Sequence, residues 1–162
     1  MANSKTDNGE KMACLSGLSD TFYHSLDPKR RLTIPSEWRA AMGNPEFVYI
    51  FPDMAEECLN LIPVQELTAL LDKMRQKALF DPKADAAREA IMSHAQMLKL
   101  DVQGRIRIND DLLNFADIKS GVTLVGGGVK GRLWATEKKP KPTATKKIDV
   151  SDFRKAMAAW NI

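Results

Sequence analysis

The sequence predicts an α+β protein built from two copies of a small unit of short strands and helices, joined by a helical hairpin. The chain has 162 residues, of which 44% are hydrophobic and 28% charged, which fits one soluble domain or two small ones. Segments in which apolar and polar residues alternate indicate strands, and these segments recur at a fixed separation. Between the two groups of strands, apolar residues repeat at helical spacing.

The two copies are related by one constant offset along the chain, and the comparison needs no gaps. They cover residues 19–62 and 98–136. A set of identical residues at that offset supports the repeat: Leu26 with Leu100, Asp27 with Asp101, Arg31 with Arg105, Ile34 with Ile108, Val48 with Val122, and Leu59 with Leu133.

Each copy begins with a short alternating strand, which is followed by a turn and a second strand. The turns Asp27–Arg30 and Asp101–Gly104 combine an Asp, which accepts backbone hydrogen bonds, with residues that suit tight bends. In the strands Arg31–Ile34 and Arg105–Ile108, alternation places the apolar side chains on one face. The opposite face carries Arg31, Thr33, Arg105 and Arg107.

A short helix and two apolar strands are predicted to complete each copy. The helices are Glu37–Met42 and Asp110–Ala116, with Ser36 and Asn109 as their N-caps. The predicted closing strands are Phe47–Phe51 and Cys58–Ile62 in the first copy, and Val122–Val125 and Gly131–Ala135 in the second.

Three segments lie outside the copies. Residues 63–97 predict a helical hairpin, whose second apolar stripe continues to Leu98. Residues 1–18 are polar and aperiodic and predict a flexible leader. Residues 137–162 predict a basic Pro- and Lys-rich linker and an amphipathic helix from Ile148, with Ser151 as its N-cap. The apolar stripe of that helix consists of Phe153, Ala156, Met157 and Trp160.

Charge and motif content exclude several classes of protein. Residues 138–162 carry seven positive and two negative side chains, so residues 1–137 have a net charge of −2. A generally basic surface is excluded, and DNA binding must come from local clusters such as Lys29–Arg31. Apolar runs are too short to span a membrane, so we expect a cytoplasmic protein. The sequence has no pair of ligand residues at a metal-binding spacing and no grouping of catalytic residues. We therefore expect no bound metal, no cofactor and no enzymatic activity.

The repeated Asp and Arg, four positions apart across a tight turn, have two interpretations. In the structural one, the Asp accepts hydrogen bonds from turn amides and the Arg forms an exposed ion pair with it, contributing at most about 1 kcal/mol. In the functional one, the two turns present a matched pair of arginines to DNA. The planar fork of Arg can donate twice to a phosphate or to guanine.

The two signatures also resemble a known family. The stretch His24–Pro35, followed by Leu100–Ile106, resembles the two Asp-x-x-x-Arg signatures of the MraZ family, within the AbrB-like group of swapped-hairpin DNA-binding proteins. The resemblance runs from about Leu26 to Trp134 and includes Val122–Gly126. It implies that each copy is an AbrB-like β-barrel repeat.

The family resemblance implies a transcriptional regulator that binds G-rich direct repeats in double-stranded DNA upstream of the division and cell-wall genes. It further implies a ring-shaped homo-oligomer that is nucleoid-associated and often represses its own operon. The predicted DNA-contacting residues are Lys29, Arg30, Arg31, Thr33, Arg105 and Arg107. The predicted turn-stabilising residues are Asp27, Asp101 and Gly104.

The sequence departs from the family pattern at two places. Arg30 stands where the family has Gly, whereas Gly104 keeps the glycine. At positive φ an Arg carries a steric cost, although it also offers another phosphate contact. The extension that begins at Lys138 is the second departure.

One further class of function fits the same residues. In this alternative, the chain is a protein-interaction module, such as an antitoxin-like ring scaffold, whose partner docks on the C-terminal helix. The apolar stripe on that helix needs a surface to bury against, which is a protein partner, the body of the chain or a neighbouring subunit. The lysines of the linker either add sequence-independent DNA affinity or form a solvated spacer.

Overall fold

A computed structural model describes residues 17–78, 81–143 and 148–161 and shows an α+β fold. The strands are β1 (Thr21–Ser25), β2 (Arg31–Thr33), β3 (Phe47–Pro52), β4 (Leu59–Pro63), β5 (Gln96–Lys99), β6 (Arg105–Arg107), β7 (Gly121–Gly126) and β8 (Gly131–Ala135). The helices in the described ranges are α1 (Ser36–Ala41), α2 (Val64–Ala78), α3 (Pro82–His94), α4 (Asp110–Phe115) and α5 (Ser151–Ala159).

The offset that relates the two sequences also relates the elements. When β2, α1 and β3 are shifted by the offset that places Leu26 on Leu100, their bounds coincide with those of β6, α4 and β7. The last strand deviates, since β8 begins at Gly131, whereas β4 shifted in the same way would begin at Leu133. Equivalent segments therefore adopt the same local structure over most of each copy.

The strands of the two copies are interleaved in one antiparallel sheet. Its order is β1-β7-β8-β4-β3-β5, and a separate two-stranded ribbon pairs β2 with β6. β1 of the first copy pairs with β7 of the second, with Tyr23 opposite Thr123. β5 of the second copy pairs with β3 of the first, with Met97 opposite Tyr49. Each copy thus supplies one edge strand to the other.

The inner face of the sheet packs against α1, α4 and the ribbon and forms the main core. Trp38 on α1 is 1% exposed, and its ring meets Phe22 edge-to-face with centroids 5.8 Å apart. Its indole N–H donates to the Ser19 carbonyl over 2.7 Å. A Cβ at Gly131 would lie 2.4 Å from this ring, so the glycine allows the close approach.

The outer face of the sheet is covered by two different segments. The hairpin α2–α3 packs on β3 and β4 through a small cluster that includes Phe51, Ile62 and Leu67. After β8, residues 136–141 form a strap that runs back over β7, where the Thr123 hydroxyl donates to the Lys139 carbonyl over 2.6 Å. Two lysines of the strap lie over aromatic rings, Lys139 over Trp134 at 5.0 Å and Lys141 over Tyr23 at 5.8 Å.

The structure corrects the prediction of two β-barrels. In the described part of the chain six strands form one open sheet with β1 and β5 at its edges, the other two form the ribbon, and no closed barrel is present. The reason is the exchange of edge strands, because each set of short strands completes its hydrogen bonding on the other copy. The α+β class itself is confirmed.

Several local boundaries also differ from the prediction. Pro35 is the N-cap of α1 and Val150 that of α5, so Ser36 and Ser151 are the first helical residues, whereas Asn109 caps α4 as predicted. Leu98 lies in β5 because the second hairpin helix ends at His94.

The predicted leader falls mostly on residues 1–16, which lie outside the described residues. Leu18, at its end, is 2% exposed, and its backbone pairs with Gly128. Residue 18 is therefore part of the fold. None of the helices in the described ranges is long and apolar enough to cross a membrane.

Candidate nucleic-acid interface

The ribbon of β2 and β6 brings four of the predicted residues to one surface. Arg31 lies opposite Arg107, and Thr33 lies opposite Arg105, in antiparallel register. Leu32 and Ile106 point the other way, and both are fully buried in the core. Because successive side chains of a strand alternate between its faces, the two buried residues fix the orientation of the polar four. We call this surface the arginine ribbon.

Each of the two signature arginines is held by the Asp of its own turn. Arg31 donates from Nε to Asp27 Oδ2 over 2.6 Å, and Arg105 donates from Nε to Asp101 Oδ2 over 2.8 Å. Asp27 also lies between the two arginines, since a terminal nitrogen of Arg105 is 3.9 Å from Asp27 Oδ2. Binding through Nε orients each guanidinium, and its two terminal nitrogens make no hydrogen bond to the described residues.

The second carboxylate oxygen of each Asp closes the turn. Asp27 Oδ1 accepts from the backbone N–H groups of Lys29 and Arg31, at 2.9 and 2.8 Å. Asp101 Oδ1 accepts in the same way from Gln103 and Arg105, at 2.9 Å each. Both aspartates therefore bond to the backbone and to an arginine at once, as the structural interpretation of the signature predicts.

These hydrogen bonds lower the pKa of both carboxyls. The backbone N–H of Arg31 is the largest cause of the lowered pKa of Asp27, and the Arg31 side chain adds to it. The backbone and side chain of Arg105 lower the pKa of Asp101 in the same manner. Both groups are thus ionised at neutral pH and remain acceptors for their arginines.

The fourth residue of each turn has a left-handed backbone. Gly104 has φ +76° and Arg30 has φ +63°. Each one also accepts a hydrogen bond from the other copy, from Ile34 N–H to the Gly104 carbonyl and from Ile108 N–H to the Arg30 carbonyl. Arg30 therefore takes the glycine conformation in spite of its side chain, and its Nε lies 3.1 Å from Asp110 Oδ1.

Two cations beside the turns were not singled out from the sequence. Arg39 on α1 lies against Gly104 and donates from Nε to the Ile34 carbonyl over 3.1 Å. Lys119 lines a cleft beside the first turn together with Asp27 and Arg30. Neither belongs to the repeated motif, and no spacing rule links them to the turns, because the tertiary fold brings them there.

The local charge of this surface is positive although the body of the chain is slightly acidic. The first turn carries Lys29, which is exposed, and the ribbon carries Arg107, which is also exposed. The predicted cations number five, and the acidic side chains that contact them are Asp27, Asp101 and Asp110. The surface thus keeps a net charge of about +2, which favours an anionic ligand.

The basic strap lies on the opposite side of the sheet. The strap covers Thr123 on β7 and Trp134 on β8. Their neighbours along each strand face the main core, so these two side chains face the outer side of the sheet. Lys138 contacts Glu57 over 2.9 Å. These contacts place the lysines of residues 138–141 on the outer face, whereas the arginine ribbon packs on the inner face.

The structure shows no other candidate chemistry at this surface. In the described ranges, no three His, Cys, Asp or Glu side chains come close enough together to hold a metal ion. A second cleft beside the first turn, of about 420 Å³, is lined mainly by the polar and charged residues of the turn and of the start of α4.

Comparison with known proteins gives the class of protein. A relative from Finegoldia magna, Transcriptional regulator MraZ, is 32% identical over 117 residues, which cover 72% of this chain and 80% of the relative. A protein of the same name from Caulobacter vibrioides is 30% identical over 122 residues, with 72% and 76% covered. A third, from Leuconostoc mesenteroides, is 26% identical over 141 residues, with 87% and 96% covered. No protein-family model matches the chain.

The fold, the arginine ribbon and these relatives define a transcriptional regulator rather than an enzyme. The chain belongs to the MraZ family. The resemblance carried by the two Asp-x-x-x-Arg signatures is thereby confirmed.

The two turns allow a matched test of backbone strain. Replacing Arg30→Gly relieves the left-handed conformation, which costs an L-residue about 1–2 kcal/mol, and removes only an exposed ion pair. Glycine also has more freedom in the unfolded chain, so we expect a net increase in the free energy of unfolding of about 0.5–1 kcal/mol. Chemical denaturation measures this change.

The control for that prediction is Gly104→Ala at the equivalent position. Its Cβ would lie 2.4 Å from Arg39 Cζ, and its φ is positive, so we expect a loss of about 1–2 kcal/mol. If both substitutions destabilise the protein equally, the first turn is not strained.

Acid titration should report the lowered pKa values of the two turn carboxyls. Because each pKa lies below its ordinary value of 3.8, the native state binds these protons less readily than the unfolded chain. Their stabilisation is therefore complete above that value and is lost as the pH falls through the lower native pKa. We expect the free energy of unfolding to fall less steeply below about pH 5 in Asp27→Asn and Asp101→Asn than in the wild type. An unchanged slope in both variants would contradict the assignment, and Asp72→Asn, an exposed site on α2, is the control.

Proposed function

We propose that the protein binds DNA in a sequence-specific manner through the arginine ribbon and regulates transcription, with G-rich direct repeats upstream of its own division and cell-wall genes as its targets. In this proposal the intertwined copies act as AbrB-like repeats, and the protein is nucleoid-associated. The observation that carries the proposal is the pair of arginines, each bound through Nε by its own Asp, on one face of a two-stranded ribbon.

The shape of the ribbon suits DNA. The major groove is about 12 Å wide and admits a two-stranded ribbon, and an Arg fork matches O6 and N7 of guanine. Arg31 and Arg105 supply two oriented forks, while Arg107 and Lys29 are exposed for phosphates. Thr33 lies opposite Arg105 on the same face and offers a hydroxyl. G-rich sites are therefore the expected targets.

Self-association follows from the small number of contacts. A single chain offers only a few cations, and Asp27 and Asp101 partly neutralise them. DNA affinity depends on the number of phosphates neutralised, so one chain should bind weakly at physiological salt. Several chains in a ring, each on one repeat of the DNA, gain affinity through effective concentration without new contacts. The repression of its own operon would then follow from occlusion of the promoter.

The arginine ribbon is tested by the double variant Arg31→Ala plus Arg105→Ala. We expect it to lose the preference for the DNA upstream of its own gene over a scrambled sequence, with an affinity at least about tenfold lower. The slope of log affinity against log salt should also fall by about one or two units per chain. Fluorescence anisotropy at several salt concentrations measures both quantities.

The matched control is Arg75→Ala plus Arg88→Ala on the helical hairpin. It removes the same charge from sites away from the ribbon and should keep the preference. If the double ribbon variant is folded and still prefers its own upstream DNA, the turns are only structural. If the wild type binds the scrambled DNA equally well, the interaction is non-specific.

The spacing of the DNA repeats tests the contribution of linked sites. Inserting about 5 base pairs between two repeats turns the second one to the opposite side of the duplex, since one helical turn takes about 10 base pairs. We expect a marked loss of affinity, whereas an insertion of about 10 base pairs should restore part of it. Equal affinity for both insertions would show that the chains bind the repeats independently.

A further inference from the structure

An apolar groove lies on the outer face of the protein, away from the arginine ribbon. It runs between the helical hairpin, the outer face of β3 and β4, and the loop between β7 and β8, and it has a volume of about 690 Å³. Phe51, Ile62 and Ile91 line its interior. Its rim carries exposed apolar residues, with Met54 76% and Val129 60% exposed. A groove of this kind is typical of a docking surface for an apolar segment.

The floor of the groove contains an unpaired hydrogen-bond acceptor. Asn60 is 1% exposed and donates from Nδ2 to Asp53 Oδ1 over 3.1 Å. Its Oδ1 has no hydrogen-bond partner in the described part of the chain. Asp53 Oδ2 already accepts hydrogen bonds from the backbone N–H groups of Ala55 and Glu56. A buried acceptor without a partner is costly, so the groove is suited to a segment that brings an N–H or O–H donor.

The C-terminal helix α5 offers the complementary surface. Phe153 is 65% and Trp160 79% exposed, and both lie on one face of the helix together with Met157. None of the residues of α5 is buried, and Met157 is half-buried. The indole N–H of Trp160 makes no hydrogen bond to the described residues. A nine-residue helix is marginal on its own and gains most of its stability from packing.

Charges on the two surfaces are arranged in a complementary way. On α5, Asp152 lies on one side of the apolar face and Arg154 on the other. In the groove, Lys130 and Arg132 form the wall on the β8 side and lie 3.7 and 3.5 Å from Asp53 Oδ1, so these three side chains carry a net charge of +1. Glu66 is in the first turn of α2 on the opposite wall. Lys73 lies on the same wall as Glu66. One orientation of the helix brings Asp152 to the side with the net positive charge and Arg154 to Glu66, and this orientation is favoured over the reverse.

We propose that α5 of one copy docks in this groove of a second copy, with the indole N–H of Trp160 donating to Asn60 Oδ1. A second copy is favoured over the same chain because the strap holds residues 138–141 over β7 and β1, through Thr123 and Tyr23, and no residue of α5 is buried. Every chain has one groove and one α5 helix. Each copy therefore docks its own helix on one neighbour and binds the helix of another in its groove.

This docking rests on the self-association in the proposed function and not on DNA binding. It assigns a role to the extension that departs from the family pattern. It also leaves the arginine ribbon free, because the groove lies on the outer face of the sheet.

Site-directed cross-linking tests whether the docking occurs between copies. One full-length chain carries Met54→Cys at the rim of the groove, and a second, differently tagged chain carries Ala156→Cys on the apolar face of α5. We expect a disulfide between the two chains under mild oxidation. Lys155→Cys, on the opposite face of α5, is the control and should give little cross-linking, as should the chains with only their native cysteines.

A double-mutant cycle tests the hydrogen bond. Trp160→Phe keeps the aromatic ring and removes the donor, so we expect self-association to weaken about fivefold in sedimentation experiments. In an Asn60→Ala background the same substitution should have no effect, because the acceptor is gone. If Asn60→Ala does not fold, Leu70→Glu on the rim is the second variant and should prevent cross-linking and weaken association.

Each remaining outcome overturns the proposal. A cross-link that forms only within a chain carrying both cysteines would show that α5 docks on its own body. Chains that associate without any cross-link would show that another surface joins them, which leaves the proposed ring intact. Chains that stay monomeric at all concentrations would overturn both the docking and the ring, whereas DNA binding by the ribbon would stand.

Discussion

Each arginine turn is bonded to the other copy of the repeat, and the geometry of the arginine ribbon depends on this exchange. The carbonyl of Arg30 accepts from Ile108, and the carbonyl of Gly104 accepts from Ile34. These bonds extend the short pairing of β2 with β6, which would be marginal alone. Because Leu32 and Ile106 are buried beneath, the ribbon cannot slip by one residue without turning its arginines into the core.

The two copies have diverged where they meet different neighbours. At the fourth turn position, Gly104 leaves room for Arg39, whereas Arg30 extends toward Asp110. On the outer face, the helical hairpin follows β4 in the first copy, and the strap follows β8 in the second. The extension therefore occupies the position in the second copy that the hairpin occupies in the first, and both cover the sheet face opposite the ribbon.

The sequence predicts the local parts of this fold and misses those that depend on distant pairing. Alternation is a local property, so the faces of Arg31 and Arg105 follow from Leu32 and Ile106. The prediction of separate barrels was wrong because periodicity does not reveal which strand a given strand pairs with. At α1 the helix begins one residue early, since Pro35 has a backbone suited to the N-cap and Ser36 makes no capping hydrogen bond.

The site shows the same division. Asp27 and Asp101 are found from the sequence because their hydrogen bonds reach only two and four positions ahead. Arg39 is missed, since its position beside Gly104 depends on where α1 packs. The two carboxylates lower the positive charge of the surface, yet they hold the arginines in fixed orientations. The surface therefore has a smaller net positive charge but arginines in fixed orientations. Under the proposed function, this arrangement weakens non-specific attraction to DNA in favour of directed hydrogen bonds, and several linked copies supply the remaining affinity.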